Sequence, residues 1–283
     1  MNAILHRLPL TRIKLLIARI LYLIVRPVFG KEKRVISRNG IQFEIDLSEG
    51  LDLSLFLFGN FQVHVSENKF LSLQNHAVIF DVGANVGIMS LNFAKNSAHG
   101  KVYAFEPTHY AYRKLIRNLD LNPELAGRIV PVQTFVSAKP GNGQKIQAYS
   151  SWKINSKVDG ERHPVHGGAA MSADGVPTVT LDSFVIDQKI SQVDFIKIDT
   201  DGHEFDVLMG ARELLATCKP KIIFELGLYV MEERGIGFMD YWGFFQSLNY
   251  RLSDAATNRP ITTANFAKMI PQKGTIDVLA VAN

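Results

Sequence analysis

The stretch Asp81-Val82-Gly83-Ala84-Asn85-Val86-Gly87 decides the fold. A short apolar run precedes it, and an apolar pattern with helical spacing follows it. The glycines at 83 and 87 allow the backbone to turn sharply and to approach a ligand closely. The helix that follows offers free backbone N–H groups and the positive end of its dipole. The stretch therefore predicts a strand, a glycine turn and a helix that bind a nucleotide-like ligand.

A second apolar run, residues 101–105, ends in Glu106-Pro107. The spacing from the glycines to Glu106 is the one at which a carboxylate binds ribose hydroxyls in Rossmann-type sites. A solvated acid at a strand end is the other interpretation. A dinucleotide site is disfavoured, because Asn85 and Ile88 stand where two of its glycines would be. Asp81, just ahead of the glycines, suits a ligand with an ammonium group and a nearby sulfonium, as in S-adenosylmethionine.

Short apolar runs alternate with helical patterns, as is typical of an open α/β sheet with both faces covered. We predict strands at residues 77–82, 101–105, 129–135, 193–198 and 221–225, and helices at residues 86–96, 109–122, 204–217 and 239–248. A hairpin formed by residues 249–251 and 275–281 is predicted to close one edge of the sheet. Alternating polarity around Asn39-Gly40 predicts an earlier hairpin at residues 35–47.

Residues 139–177 interrupt this rhythm with a long segment rich in Gly, Ser, His and Pro. The segment is too long for a simple connection. It is interpreted either as a surface excursion or as a substrate lid, since long loops of α/β enzymes often carry specificity.

The first 50 residues are predicted to hold an amphipathic helix and a β-rich lead-in, with the main domain at residues 51–283. Arg12, Arg19 and Arg26 lie seven residues apart and so share one stripe of a helix at residues 8–29. Its longest uncharged stretch, residues 20–25, is far shorter than the roughly 20 residues that span a bilayer. Two interpretations stay open: the helix lies on an anionic membrane surface, or it packs its apolar face on protein.

Bulk composition excludes some classes of protein. A chain of 283 residues with 47% hydrophobic side chains can bury a full core. The net charge of +4 is too balanced to indicate nucleic-acid binding, and its excess lies in the first 40 residues. The lone Cys218 excludes an intrachain disulfide and a multi-thiolate zinc site, so a reducing cytoplasm is expected. In the membrane interpretation the protein sits peripherally at the inner face.

The polar cluster after residue 198 points to chemistry. The apolar run at residues 193–198 is followed by Asp199, Asp201 and His203, and the next run ends in Glu225. Both groups of side chains are therefore expected at the carboxyl edge of the sheet, which lines the ligand crevice in folds of this kind. His203 is the natural proton acceptor near neutral pH, with Asp199 or Glu225 orienting it or the substrate. Alternatively, His203 and Glu204 only begin a helix.

A divalent metal held by Asp199, Asp201, His203 and Glu225 is a further alternative for the same cluster. We predict no metal, because Asp199 and Asp201 need not converge on one point where the strand gives way to a turn.

Together these motifs resemble the FkbM family of methyltransferases over about residues 50–282. The resemblance rests on Phe80-Asp81-Val82-Gly83-Ala84-Asn85-Val86-Gly87, Phe105-Glu106-Pro107, Asn118, Asn122, Val179-Thr180-Leu181-Asp182 and Ile196-Lys197-Ile198-Asp199-Thr200-Asp201-Gly202-His203-Glu204. The lead-in from Leu51-Asp52-Leu53 to Phe58-Gly59-Asn60-Phe61 also resembles the family.

The resemblance implies a Rossmann-like class I methyltransferase fold, with a mostly parallel seven-stranded sheet flanked by helices. It implies S-adenosylmethionine as cofactor and O-methylation of a hydroxyl on a sugar, glycan or secondary metabolite. The cofactor contacts that carry over are Asp81, Gly83, Ala84, Asn85, Gly87 and Glu106. The catalytic residues predicted are Asp199, His203 and Glu225. The family often has Glu-Gly-Ala-Glu where this chain has Asp201-Gly202-His203-Glu204, which leaves the proton acceptor open.

Two other functions remain as alternatives. One is a nicotinamide-dependent oxidoreductase on a Rossmann fold, and the other is a non-catalytic, membrane-associated binding protein. The expected partner is a small-molecule or glycan acceptor, with no nucleic acid. The sequence does not determine the acceptor or the oligomeric state.

Overall fold

The computed structural model describes residues 20, 22–24, 27, 29–30, 33–59, 61–142, 147–150, 169–272 and 274–283. Most of the predicted helix at residues 8–29, and more than half of the segment 139–177, lie outside the described residues. Residues 20, 22–24, 27 and 29 are helical, with Tyr22 buried and Leu23 and Ile24 exposed. Within the described ranges, no helix has the length and apolarity needed to cross a bilayer.

The described strands are β1 (Arg34–Arg38), β2 (Ile41–Ile45), β3 (Val78–Val82), β4 (Lys101–Phe105), β5 (Ile129–Val132), β6 (Phe135–Val136), β7 (Gly141–Asn142), β8 (Gln147–Ser150), β9 (Ala169–Ser172), β10 (Pro177–Val179), β11 (Phe195–Ile198), β12 (Lys221–Gly227), β13 (Tyr250–Asp254) and β14 (Thr275–Ala282). The described helices are α1 (Gly50–Phe58), α2 (Val63–Ser66), α3 (Ile88–Asn96), α4 (His109–Asp120), α5 (Pro123–Ala126), α6 (Leu181–Asp187), α7 (Glu204–Met209), α8 (Arg212–Cys218), α9 (Leu228–Arg234), α10 (Phe238–Ser247) and α11 (Phe266–Met269).

The central sheet has seven strands in the order β13-β14-β12-β11-β3-β4-β5. Strands β12, β11, β3, β4 and β5 are parallel, whereas β14 runs antiparallel to both β12 and β13. The predicted mostly parallel, seven-stranded sheet and its closing hairpin are confirmed. In the described chain, β1 and β2 form the lead-in hairpin, β6, β10 and β7 form a small sheet, and β8 pairs with β9.

Two apolar layers cover the sheet, because alternate side chains of each strand point to opposite faces. Ile79 and Phe195 face a layer that includes the lead-in hairpin and α3, whereas Phe80 and Ile196 face a layer that includes α7, α8 and α10. The lead-in therefore shares a core with the sheet.

Two buried amides fasten the lead-in hairpin to α4. Asn118 Oδ1 accepts the backbone N–H of Glu44 at 2.9 Å, and its Nδ2 donates to the Val86 carbonyl at 2.8 Å. Asn122 accepts from the Gln42 N–H at 2.8 Å and donates to the Gln42 carbonyl at 2.7 Å. The two side-chain amides thus bond backbone groups of β2 that a neighbouring strand would otherwise bond. This explains why the family motif has asparagine at positions 118 and 122.

A buried charged cluster joins α1 to α4. The Lys114 ammonium lies 2.8 Å from a Glu49 oxygen and 2.6 Å from a Asp52 oxygen, and the Tyr110 hydroxyl donates to Glu49. Burial raises the pKa of Asp52 to about 6, although Lys114 opposes that rise. The cluster fixes the end of the lead-in against the main domain.

The structure divides two elements that the sequence pattern predicts as continuous. The predicted strand at residues 129–135 splits, because β5 joins the central sheet and β6 pairs with β10 in the small sheet. The predicted helix at residues 204–217 splits into α7 and α8 at Gly210. A Cβ on Gly210 would lie 2.1 Å from the Ser137 carbonyl oxygen, so another part of the backbone occupies that space.

Candidate functional site

Contacts with the surrounding protein shape the glycine turn. Gly83 has φ +78°, and a Cβ there would lie 1.8 Å from the Asp199 carbonyl oxygen. The N–H groups of Gly83 and Ala84 donate to the Phe105 carbonyl at 3.0 and 2.9 Å. Gly87 has φ +86°, and a Cβ there would lie 2.4 Å from a Leu115 methyl. Only glycine fits at position 83, because both the backbone angle and the neighbouring strand end require it.

Glu106 lies against the glycine turn, where it holds the turn in place. Its Oε2 accepts the Asn85 N–H at 2.9 Å, and its Oε1 accepts the Thr108 N–H at 2.9 Å and hydroxyl at 2.6 Å. Burial raises the pKa of Glu106, which is 5% exposed. A carboxylate oxygen has more than one lone pair, so Oε2 can accept a further hydrogen bond from a ligand hydroxyl.

Lys197 connects the glycine turn with Asp199 at the end of β11. The sequence pattern did not assign this role to it. Its Nζ donates to the Gly83 carbonyl at 2.9 Å and lies 3.2 Å from Asp81 Oδ1 and 3.7 Å from Asp199 Oδ2. Burial lowers the pKa of Lys197, but the Asp81 and Asp199 carboxylates outweigh it and raise that pKa to about 12. The available signal was a single lysine inside the apolar strand β11, beside Asp81 in the register of β3.

Three carboxylates line up at the carboxyl edge of the sheet. Glu225 on β12 is the register partner of Asp277 on β14, and Asp199 directly follows β11 beside it. Burial raises the pKa of Glu225 well above its usual range, and the nearby Asp199 and Asp277 add to the rise. The Thr275 hydroxyl donates to Glu225 Oε1 at 2.6 Å. The structure thus brings the predicted residues Asp199 and Glu225 together and adds Asp277.

The segment before β3 contributes to this edge through two side chains that sequence reasoning missed. His64 Nε2 lies 2.5 Å from Asp277 Oδ2, and this hydrogen bond raises the pKa of His64 against the opposing effect of burial. Gln62 Nε2 donates to Asp199 Oδ2 at 3.4 Å. Both residues come from a stretch in which no motif marks a site.

Glu204 organises the turn after β11 and is buried at the start of α7. Its Oε1 accepts the Thr200 N–H at 2.9 Å, the Thr200 hydroxyl at 3.1 Å and the Gly202 N–H at 3.1 Å. Burial raises the pKa of Glu204. Asp201, which has φ +51°, also has its pKa raised well above normal, first by burial and then by Asp199. Glu204 therefore shapes the acidic turn that follows β11.

His203 faces the start of α7 and the end of α9. The Arg234 guanidinium donates to His203 Nδ1, and Asp206 Oδ2 lies 3.4 Å from the same nitrogen. The imidazole edge packs on Phe135, with ring centroids 5.0 Å apart. Because arginine only donates, a neutral His203 in this arrangement carries its proton on Nε2. A catalytic role for His203 stays a prediction, and this contact favours a carboxylate as proton acceptor.

The alternative of a metal set has no geometric support in the described part of the chain. No three or more His, Cys, Asp and Glu side chains there are arranged to hold a metal ion.

The family described as Methyltransferase FkbM domain matches residues 81–252, which include the glycine turn, Glu106 and the carboxylates at 199 and 225. The chain belongs to the FkbM methyltransferase family. Its fold is therefore the Rossmann-like class I methyltransferase fold that the motifs predicted, and the cofactor of this family is S-adenosylmethionine.

Relatives of this FkbM protein share its sequence over part of their length. Methyltransferase sdnD of Sordaria araneosa is 28% identical over 50% of this chain and 63% of its own length. Hexuronic acid methyltransferase AglP of Haloferax volcanii is 26% identical over 49% of this chain and 51% of its own. The matches thus span about half to two thirds of these relatives.

A solved structure of methyltransferase FkbM from Methylobacillus flagellatus KT superposes with a TM-score of 0.46 and 17% identity. The match covers 76% of this chain and 47% of that one.

The site of this FkbM protein fits S-adenosylmethionine, as its unused hydrogen-bonding groups indicate. Asn85 Oδ1 on the glycine turn and Gln62 Oε1 beside Asp199 are buried without a hydrogen-bond partner among the described residues. Buried polar atoms normally have partners. Both atoms accept hydrogen bonds, so they suit a ligand that carries N–H or O–H donors.

Proposed function

We propose that this protein transfers the methyl group of S-adenosylmethionine to a hydroxyl group of a sugar, glycan or secondary metabolite. Membership of the FkbM family supports the methyl transfer. Similarity to a hexuronic acid methyltransferase supports a sugar-type acceptor. The observation that carries the proposal is the Glu225 carboxyl, with its raised pKa, beside Asp199 at the edge that also holds the glycine turn.

The cofactor contacts that we propose are those of the glycine turn and Glu106. Gly83, Ala84, Asn85 and Gly87 present the turn, and Glu106 accepts from the ribose while it holds the Asn85 N–H. Asp81 is fully buried against Lys197 and Ser90, so it acts on the cofactor by positioning the turn. The methyl donor supplies an electrophilic carbon on a sulfonium, and the protein's part is alignment.

In the proposed reaction the acceptor oxygen attacks the methyl carbon. The C–S bond breaks, its electron pair stays on sulfur, and the acceptor hydroxyl loses its proton to the protein. Glu225 takes that proton in our assignment, because burial and the nearby Asp199 raise its pKa, and a carboxylate with a raised pKa is a stronger base. Asp199 orients the acceptor, and His203, whose Nδ1 meets Arg234, holds the turn.

The test combines binding with a labelled methyl-transfer assay. S-adenosylmethionine or its demethylated product should bind in a calorimetric titration, and methyl label should appear on a member of a panel of sugars, glycans, lipids and polyketides. Binding of NAD without S-adenosylmethionine would support the oxidoreductase alternative instead.

Two variants separate the candidate bases. Glu225→Gln should lower kcat by at least about 100-fold and leave the affinity for the demethylated product nearly unchanged. In the wild type, kcat should rise with pH as Glu225 loses its proton, and the variant should lack this rise. His203→Asn is the matched control and should retain most of kcat. The reverse ranking would return the base role to His203.

For location, we propose a cytoplasmic protein in which the segment predicted to be helical, residues 8–29, contacts a second surface. Tyr22 is buried, which supports packing on this chain, whereas Ile20, Leu23 and Ile24 are exposed, which supports an additional contact. Sedimentation of the full chain with anionic and with neutral vesicles distinguishes a membrane from a protein surface. Binding to anionic vesicles alone indicates the membrane.

A further inference from the structure

Gln62 has an unusual backbone conformation at the start of α2. Its φ of +43° and ψ of +50° place it in the left-handed region, which non-glycine residues seldom occupy. Its carbonyl accepts the N–H groups of Val65 at 2.8 Å and Ser66 at 3.1 Å. Conformations of this kind cluster at functional sites, where surrounding structure holds them. We therefore ask which contacts of the Gln62 side chain this backbone conformation makes possible.

The side chain of Gln62 reaches the acidic edge of the sheet. Its Nε2 donates to Asp199 Oδ2, and the carbonyl oxygen of Asp199 packs against Gly83 of the glycine turn. A carboxylate only accepts, which fixes the amide so that Oε1 points away from Asp199. That Oε1 is buried and has no hydrogen-bond partner among the described residues. An unmatched buried acceptor destabilises a fold.

Asn85 has the same two features, a left-handed backbone and an unmatched side-chain oxygen. It stands on the glycine turn with φ +51°, and its Oδ1 is buried without a partner in the described chain. Both unmatched atoms are acceptors. The charged groups near Asp199 are the Lys197 ammonium at 3.7 Å and the carboxylates whose pKa Asp199 helps to raise, those of Asp201, Glu204 and Glu225. A phosphate or carboxylate would be repelled here, whereas an ammonium group brings three N–H donors and a positive charge.

We propose that Gln62 is a cofactor-binding residue whose Oε1 accepts from the α-ammonium group of S-adenosylmethionine, while its Nε2, bonded to Asp199 Oδ2, holds the amide in this orientation. This inference rests on the proposed function, since it assigns one end of the same cofactor. The left-handed backbone at Gln62 turns the chain so that its amide enters the site. The segment before β3 thereby completes the donor site that the glycine turn begins.

The experiment uses two ligands that differ at the amino-acid end. S-adenosylhomocysteine carries the ammonium group, and 5′-methylthioadenosine lacks it. Gln62→Gly removes the amide and also relieves the left-handed backbone. In calorimetric titrations of the full chain, this variant should bind S-adenosylhomocysteine about tenfold more weakly, as expected for a hydrogen bond to a charged group. Its affinity for 5′-methylthioadenosine should stay within about twofold of wild type.

Asn39→Gly is the matched control, because Asn39 has φ +50° in the turn between β1 and β2. It should leave both affinities unchanged. Thermal unfolding should show no loss of Tm in Gln62→Gly, because glycine suits positive φ. A second variant, Gln62→Leu, keeps most of the side-chain volume but removes the acceptor, so it should weaken binding of S-adenosylhomocysteine by a similar factor and leave binding of 5′-methylthioadenosine nearly unchanged.

Equal weakening of both ligands in Gln62→Gly would overturn the inference, because a general disturbance of the site explains it. Unchanged affinity for S-adenosylhomocysteine would overturn it as well. If the wild-type protein binds neither ligand, the proposed function itself fails. If the wild-type protein binds both ligands but the Gln62 variants do not selectively weaken S-adenosylhomocysteine, only this inference fails.

Discussion

Replacing Lys197 with methionine tests the connection between the glycine turn and the acidic edge. Methionine keeps most of the side-chain volume but leaves Asp81 without its cation, and Asp81 is fully buried. Removing one partner of a buried ion pair costs about 3 to 5 kcal/mol. The Gly83 carbonyl also loses its hydrogen bond to Nζ. We therefore expect a loss of about 4 kcal/mol, a large share of the roughly 5 to 15 kcal/mol of a typical domain.

Equilibrium urea unfolding measures this loss, with Lys268→Met as a surface control expected to fall within about 0.5 kcal/mol of wild type. Adding Asp81→Asn to Lys197→Met removes the unpaired charge, so the double variant should recover about half of the loss. The double-mutant cycle gives the coupling energy directly. A loss under about 1 kcal/mol for Lys197→Met, or additive losses in the cycle, would refute the assignment of a buried ion pair that holds the turn.

Other substitutions test the remaining parts of the fold. Gly83→Ala should prevent folding or abolish cofactor binding, because its Cβ would lie 1.8 Å from a carbonyl oxygen, whereas Gly235→Ala, with open space at φ +65°, should cost about 1 kcal/mol by thermal unfolding. Asn118→Ala should lower the free energy of unfolding by about 2 to 4 kcal/mol, since it leaves two backbone groups unmatched, and urea titration checks this. The folded-state pKa of Asp52 is about 6, above its ordinary 3.8, so its contribution to stability is fully present below pH 3.8 and is lost as pH rises through 6. Relative to Asp52→Asn, the wild type should therefore lose about 3 kcal/mol between about pH 4 and about pH 7 in urea titrations, and a pH-independent difference would contradict the shift.

The central sheet could be predicted because each strand carries a local signal. The apolar runs that became β3, β4, β11 and β12 are short, buried on both faces and separated by helical patterns. The elements that divided, at residues 133–134 and at Gly210, have no local signal for the break. Tertiary contacts determine where these elements break, because β6 pairs with β10 and the Ser137 carbonyl occupies the space beside Gly210.

The glycine turn and Glu106 follow from their motifs, whereas the roles of Lys197 and Gln62 depend on contacts with residues distant in sequence. Asp81, Gly83 and Glu106 lie in or next to strands whose order the pattern indicates. Lys197 was visible as a charged residue in an apolar strand, but its partner depends on the register between β11 and β3. Gln62 carries no motif at all, because its contact with Asp199 joins residues that are 137 positions apart.

By itself the sequence determined the fold class, the glycine turn and the acid that follows it, because strand and turn formation depend on neighbours within a few positions. Only the tertiary structure decided which charged side chains meet. Asp199, Glu225 and Asp277 become neighbours because three strands from different parts of the chain pair in register. Gly83 depends on both local and tertiary structure. Its positive φ follows from the turn, but the lack of space for a Cβ comes from the carbonyl of Asp199, which follows β11.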